Sequence, residues 1–239
     1  MREDVYLRHI ENNENHWWFE GRKELIKTIL KKNFKKKKIE ILDFGAGSGV
    51  NIEMLSDFGN VYAFEPHKET QNYLKKKFKK KKIKIIKSFN KKKFDLIVLA
   101  DVLEHLKKDN KEIIRLSGKL KNNGKFLITV PAFKILFTNK DEILGHYRRY
   151  NIKNLFKIFK NYKVLKISYF NFFLFFPISF LLIVFKSINY DFIKKVEKKP
   201  NVLINYLLSF IFLLESKLIN FINFPFGISI IGLFEKNDK

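Results

Sequence analysis

Five short apolar segments recur through the first half of the chain: IEILDF (39–44), VYAFE (61–65), IKII (83–86), FDLIVLA (94–100) and KFLITV (125–130). Each has the length of a strand and is rich in Ile, Val or Phe. The intervening SGVNIEMLSDF and KETQNYLKKKF read as helices. Strands alternating with helices predict a parallel, doubly wound sheet. Such sheets hold their ligands at the C-terminal ends of the strands. Residues 1 to 34 also read as helical, with Leu25, Ile26, Ile29 and Leu30 at helical spacing. Further on, YKVLKISYF (162–170) and GISIIGLFEK (227–236) read as two more strands, with a Phe-rich stretch between them.

The 239 residues suit one domain with an insertion, or two small domains. There is no cysteine, hence no disulfide framework and no thiolate metal site. The N-terminal stretch contains no apolar run of signal-peptide character, so a cytoplasmic protein is expected. A formal net charge of +24 would ordinarily point to nucleic acid or an anionic membrane. Of 48 basic residues six are Arg, leaving 42 Lys in a chain also rich in Ile, Asn and Phe. That mixture fits Lys filling solvated surface. The runs at 35–38 and 79–82 lack the interleaved aromatics of a single-strand stacking platform, so no nucleic-acid partner is expected.

The first segment leads into DFGAGSG, where Gly45, Gly47 and Gly49 alternate with single residues. A dinucleotide fingerprint needs glycine where Val50 stands. A pyrophosphate would also lie near Asp43, and like charges in a low-dielectric cleft repel. A cationic ligand suits this turn better. S-adenosylmethionine carries a sulfonium and an ammonium, and the glycines would let it approach the backbone. Twenty residues after Gly45, Glu65 closes the second segment, placed to accept hydrogen bonds from two ribose hydroxyls.

LDFGAGSG, YAFEP and FDLIVLADVLEHL together resemble the successive motifs of the class I S-adenosylmethionine-dependent methyltransferases over residues 39 to 135. The resemblance implies a Rossmann-like α/β fold, a doubly wound sheet of seven strands with the last antiparallel. It implies cofactor contacts at Asp43, Gly45, Ala46, Gly47, Glu65 and Pro66, and at Ala100, Asp101 and Val102 after the fourth strand. The family often places an acid after its third strand to meet the adenine amine. Here the sequence is IIKSFN, so Ser88 and the Phe89 backbone would take that role.

Two flanking segments also resemble a subset of that family: HWWFEGR (16–22) and NKDEILGHYRRY (139–150). HWWFEGR reads either as a hydrophobic staple or as a lid, with Trp18 over the cofactor and Arg22 forking onto its carboxylate. In the second segment His146 is the candidate base, its ordinary pKa lying near 6.5. Tyr147, Arg148 and Arg149 are candidates for an anionic group on the acceptor, although one of the arginines can instead pair with Asp141 or Glu142. His105 is placed on the pocket floor. Glu104 beside it invites a metal reading, but the H-E-x-x-H order is missing and no metal site is expected.

Thirteen of the 27 Phe fall between 167 and 226. Residues 167–185 and 202–214 carry no charge, and lysines 186, 194, 195, 198 and 199 flank them. Pro177 is expected to leave a first helix, about 178 to 192, too short to span a bilayer. The preferred reading is a helical pair dipping into one anionic leaflet; a small helical cap with an ordinary core, a dimer interface and a true spanning pair are the alternatives. The division is then 1–38 helical lid, 39–170 cofactor-binding core, 171–226 helical insertion between strands six and seven, and 227–239 last strand and tail. The function expected is methyl transfer to an apolar or membrane-linked small molecule, peripheral on the inner membrane face. A non-catalytic membrane scaffold and an NAD-dependent dehydrogenase are the rivals.

Overall fold

The computed structural model describes residues 15–35, 38–79, 81, 83–89, 92–184 and 199–237. Seven strands form one sheet: β1 (Ile39–Phe44), β2 (Gly59–Phe64), β3 (Lys84–Ile86), β4 (Phe94–Ala100), β5 (Leu120–Pro131), β6 (Tyr162–Phe170) and β7 (Ser229–Lys236). Their order is β3-β2-β1-β4-β5-β7-β6. The first five run parallel, and β7 lies antiparallel between β5 and β6. This is the fold class expected from the sequence. β1 and β4 are near-continuous apolar runs because helices cover both faces of a parallel sheet. Ile41, Leu42 and all of Leu96–Leu99 are fully buried. Chain order reverses between β1 and β4, which opens a crevice at their C-terminal ends.

The helices are α1 (Trp17–Asn33), α2 (Ile52–Ser56), α3 (Lys68–Lys77), α4 (Asp109–Ser117), α5 (Asn139–Leu144), α6 (Ile152–Ile158), α7 (Phe175–Val184) and α8 (Val202–Leu218). A 3-10 turn, Leu103–His105, follows β4. The helical reading of residues 1 to 14 lies outside the described residues. Pro177 does not open the first insertion helix at 178, as the sequence reading had it. That helix begins at Phe175, and Pro177 sits in its first turn, where the missing N–H has no intrahelical partner to lose. The expected continuation to 192 lies outside the described residues.

The insertion packs back on the N-terminal helix. Phe212 of α8 is fully buried, and a Cβ on Gly21 of α1 would stand 2.1 Å from its ring. Glycine at 21 is therefore required by this helix crossing. Asn205 ties the two helices at their start, accepting from Trp17 N–H at 3.0 Å and donating to the Asn15 carbonyl at 2.9 Å. Asn220 donates to the Thr28 carbonyl at 3.0 Å. Burying a ring like Phe212 stabilises this contact by roughly 1.5–3 kcal/mol. Glu215, on the same buried face, accepts from Phe172 N–H at 2.8 Å where the chain leaves β6. The outer faces are uncovered: Phe176, Phe180, Val202, Leu203, Tyr206 and Phe221 are each at least 67% exposed. Among the described residues no helix is long and apolar enough to cross a membrane.

Candidate active site

Gly45, Gly47 and Gly49 all adopt positive φ, at 78°, 53° and 79°. L side chains rarely take this conformation. Two of the three are also crowded. A Cβ on Gly45 would meet Val102 at 2.8 Å, and one on Gly49 would meet Phe78 at 2.6 Å. Above Gly47 nothing lies within 4 Å, so a ligand can reach the backbone there. The Gly47 N–H donates to Glu65 Oε2 at 2.9 Å and the His67 N–H to Oε1 at 3.0 Å. The acid at the end of β2 is thus fixed to the turn after β1. Ala46 is buried inside that turn, and Pro66 is exposed behind it.

Asp43 is 1% exposed, and its Oδ2 has no hydrogen-bond partner among the described residues. Burial pushes its carboxyl up to about 7; Arg22 opposes the shift and Glu65 adds to it. Arg22 reaches from α1 to an ion pair with Asp101, and its Nε is buried without a partner. Asp101 holds φ 55° after β4, with its N–H on the Thr129 carbonyl at 3.0 Å. The Thr129 hydroxyl donates to Asp101 Oδ1 at 2.7 Å. Ala100 and Val102 flank this residue, and Val102 packs on Gly45. Arg22, Asp43, Glu65, Asp101 and the glycine turn therefore converge on one crevice.

Trp18 takes a different place. Its ring packs on Phe170 at 6.0 Å and Phe212 at 6.1 Å and stands perpendicular to Trp17 at 5.7 Å. These contacts dock α1 on β6 and α8, as a staple does. Ser88 is exposed after β3. Phe89 is buried, edge-on to Phe64 at 5.2 Å and Phe44 at 6.0 Å.

The segment 139–150 builds a second wall. Thr138 and Asp141 form a capping box at the start of α5, and Gly145 ends the helix at φ 77°. Asp141 is 1% exposed. Arg149 grips it with two hydrogen bonds of 3.0 Å, and His146 Nδ1 lies 2.8 Å from its Oδ1. Burial alone would raise its carboxyl; His146 and Arg149 outweigh that and hold it down at about 2. An ionised Asp141 only accepts, so Nδ1 carries the proton and Nε2 is left as the free nitrogen. Arg148 bonds Asp109 at 3.1 Å and the Lys107 carbonyl at 2.9 Å. Tyr150 donates to the same Asp109 at 2.7 Å. Both candidate arginines are thus committed to the protein: Arg149 pairs with Asp141, as the pairing alternative allowed, whereas Arg148 pairs with Asp109, which that alternative did not name. Tyr147 is 55% exposed; it edges a groove of about 410 Å³ lined also by Lys134, Thr138 and Glu142. This groove lies beside α5 and is separate from the opening above Gly47.

The two walls meet at the turn after β4. The Tyr147 N–H donates to the Glu104 carbonyl at 2.7 Å, and the rings of His105 and His146 are 4.6 Å apart, edge to face. Burial, then the neighbouring His146, lowers His105 to about 4, so it is neutral near pH 7. Glu104, set aside in the sequence reading, is 1% exposed with neither carboxylate oxygen hydrogen-bonded among the described residues. Burial, then Asp101, pushes its carboxyl well above the usual range. DVLEHL displayed the residue, but its isolation depends on the tertiary fold.

A family model described as a methyltransferase domain matches residues 16–162. The chain belongs to this methyltransferase family. No curated protein sequence matches it. Among solved structures it is similar to a methyltransferase of Bacillus halodurans described as putative, at 13% identity and TM-score 0.59, covering 90% of this chain and 99% of that one. The N-methyltransferase NodS from Bradyrhizobium japonicum, in complex with S-adenosylhomocysteine, matches at 11% identity and TM-score 0.59 over 98% of both chains. The plantazolicin methyltransferase BpumL, in complex with a triazolic desmethylPZN analog and SAH, matches at 15% identity and TM-score 0.61, covering 98% of this chain and 91% of that one. At these identities the likeness is one of fold, and it includes the antiparallel seventh strand.

Proposed function

We propose that the protein moves a methyl group from S-adenosylmethionine to an apolar or membrane-linked small-molecule acceptor. The observation that carries this reading is Asp43: a buried carboxylate with an unpartnered oxygen, at the foot of a glycine turn that is open above Gly47. A buried acid left unsatisfied is unfavourable unless a donor or cation arrives. The cofactor's charged amino-acid end supplies one, and its ribose hydroxyls meet Glu65. The Arg22 Nε is the remaining donor for the cofactor's carboxylate. Transfer is an in-line displacement at a carbon already activated by the sulfonium. The protein's work is to align donor and acceptor and exclude water.

The acceptor enters from the α5 side, where Asp141 orients His146 and leaves Nε2 to take its proton. An apolar acceptor accords with the uncovered faces of α7 and α8, which suit contact with a lipid surface. Calorimetry tests the cofactor: S-adenosylmethionine or S-adenosylhomocysteine binds one per chain, and NAD does not. Binding of NAD in their place would return the chain to the dehydrogenase alternative.

A further inference from the structure

Between the glycine crevice and the α5 wall lie Glu104, His105 and His146. One ligand-capable atom from each falls within 4.8 Å of the other two. We propose that this trio is a divalent-cation site for a metal that accepts mixed nitrogen and oxygen donors, of the zinc, manganese or cobalt kind.

Three independent features support it. Glu104 is 1% exposed with neither oxygen hydrogen-bonded to a neighbour among the described residues; Asp101 and Asp141 add to the cost of its charge, and Arg22 offsets part of it. The His146 imidazole is pinned through one nitrogen, which frees the other. Its Nδ1 is held by Asp141 at 2.8 Å, and the His105 ring stands edge to face against it at 4.6 Å. Metal-ligating histidines are held in this way, by a carboxylate or a carbonyl behind the ring. Arg149 in turn fixes Asp141 with two bonds of 3.0 Å, a level of support that an exposed loop histidine would not need.

Metal–ligand bonds of about 2.1 Å put tetrahedral ligand atoms about 3.4 Å apart, so loading the site calls for a closure on the order of 1 Å. Two histidines and one carboxylate leave coordination positions open. An oxygen of the acceptor would complete them, and a bound hydroxyl ionises more readily than a free one. The acceptor class this favours is a hydroxyl or phenol. That use rests on the methyl-transfer reading; the existence of the site does not. In the loaded protein His146 is a ligand, the cation polarises the acceptor hydroxyl in place of the imidazole, and the proton that the methyl group displaces passes to bulk water.

The test uses the tag-free full chain, stripped with EDTA and titrated with Zn²⁺, Mn²⁺ and Mg²⁺ by calorimetry, and with Co²⁺ by visible absorption. One ion of zinc or cobalt per chain is expected, with Mg²⁺ weaker. Glu104→Gln and His105→Gln should each weaken binding at least tenfold while circular dichroism and melting stay those of a folded protein. Asp141→Asn should weaken it roughly 10–100-fold as an outer partner. Absence of binding in the wild type, or binding unchanged in both Gln variants, overturns the proposal. S-adenosylhomocysteine titrated into the same preparations reads the cofactor site separately, so failure of one site is distinguishable from failure of the other.

Discussion

The glycine crevice and the α5 wall are both dense in charge, yet they use it in opposite ways. In the crevice, Asp43 Oδ2 and Arg22 Nε are buried without partners. In the wall, Asp141 is met by Arg149, His146 and Thr138, and Asp109 by Arg148 and Tyr150. Unsatisfied groups destabilise a free protein and become favourable only when a ligand completes them. Satisfied ones hold a surface in shape. On the proposed function, the difference separates residues set to bind from residues that build, even where the residue types are identical. Glu104 stands on the border, unsatisfied like the crevice yet anchored to the wall through its carbonyl.

The largest effects should show this division directly. Arg149→Ala leaves Asp141 buried with half its partners and should lower stability by about 3–5 kcal/mol. In a chain of this size the midpoint falls by about 2–4 °C per kcal/mol. Asp43→Asn removes a buried charge that has no partner, so thermal melting should be unchanged or slightly raised. S-adenosylhomocysteine affinity should fall by about 1–3 kcal/mol, the range for a hydrogen bond to a charged group. If Asp43→Asn melts early and binds normally, crevice and wall do not differ in the way described.

The contrast also has a pH signature. Asp43 in the ligand-free fold sits near 7, above its ordinary 3.8. Between those values the unfolded chain binds fewer protons than the folded one at this residue. Its contribution to stability is therefore lost as pH rises from about 4 to 7. Glu215, raised by burial to about 7, contributes in the same direction. A cationic ligand favours ionised Asp43, so affinity should climb over this range, by at most tenfold per unit. Titrations at pH 5, 6 and 7 check the slope, which should flatten in Asp43→Asn.

Much of the crevice was legible in the sequence because it is made of backbone. Three glycines at alternate positions all sit at positive φ, which they adopt without strain, and at Gly45 and Gly49 a Cβ would also strike Val102 and Phe78, so the motif shows in the letters. The strand ends followed from apolar segments buried on both faces. The wall was less legible because pairing is a tertiary outcome. Nothing in GHYRRY says that Arg149 folds back on Asp141 while Arg148 reaches Asp109, which lies in a different element. Trp18 was ambiguous for a related reason. Its partners Phe170 and Phe212 come from far along the chain, and a staple and a lid use the same residues. The Lys runs that flank the Phe-rich stretch at 186 and 194–198 lie outside the described residues.

A smaller effect is expected at Arg22, within the crevice. Arg22→Lys keeps the charge that faces Asp101 but removes the fork and the unpartnered Nε. Affinity for S-adenosylmethionine should fall several-fold with melting preserved, because α1 remains held by Gly21 against Phe212. Equal affinity in wild type and mutant would assign Arg22 to the building group rather than the binding group.

The smallest effect concerns the outer faces of α7 and α8, where apolar side chains are unsatisfied in another sense. Phe176 and Phe180 are 69% and 67% exposed, whereas Phe212 on the opposite side of the pair is fully buried. If the outer face meets lipid, anionic liposomes should retain the protein more than neutral ones do. Lysines close to such a surface add about 1 kcal/mol each, and salt weakens that part. Excising the insertion would be a poor test, since α1 would lose the helix that covers it. Phe176→Asn with Phe180→Asn alters only exposed positions. The double variant should keep its melting temperature and its S-adenosylhomocysteine affinity while losing the salt-resistant share of liposome binding. Wild-type protein that ignores anionic liposomes at low salt would instead leave these faces to a protein partner or to the acceptor itself.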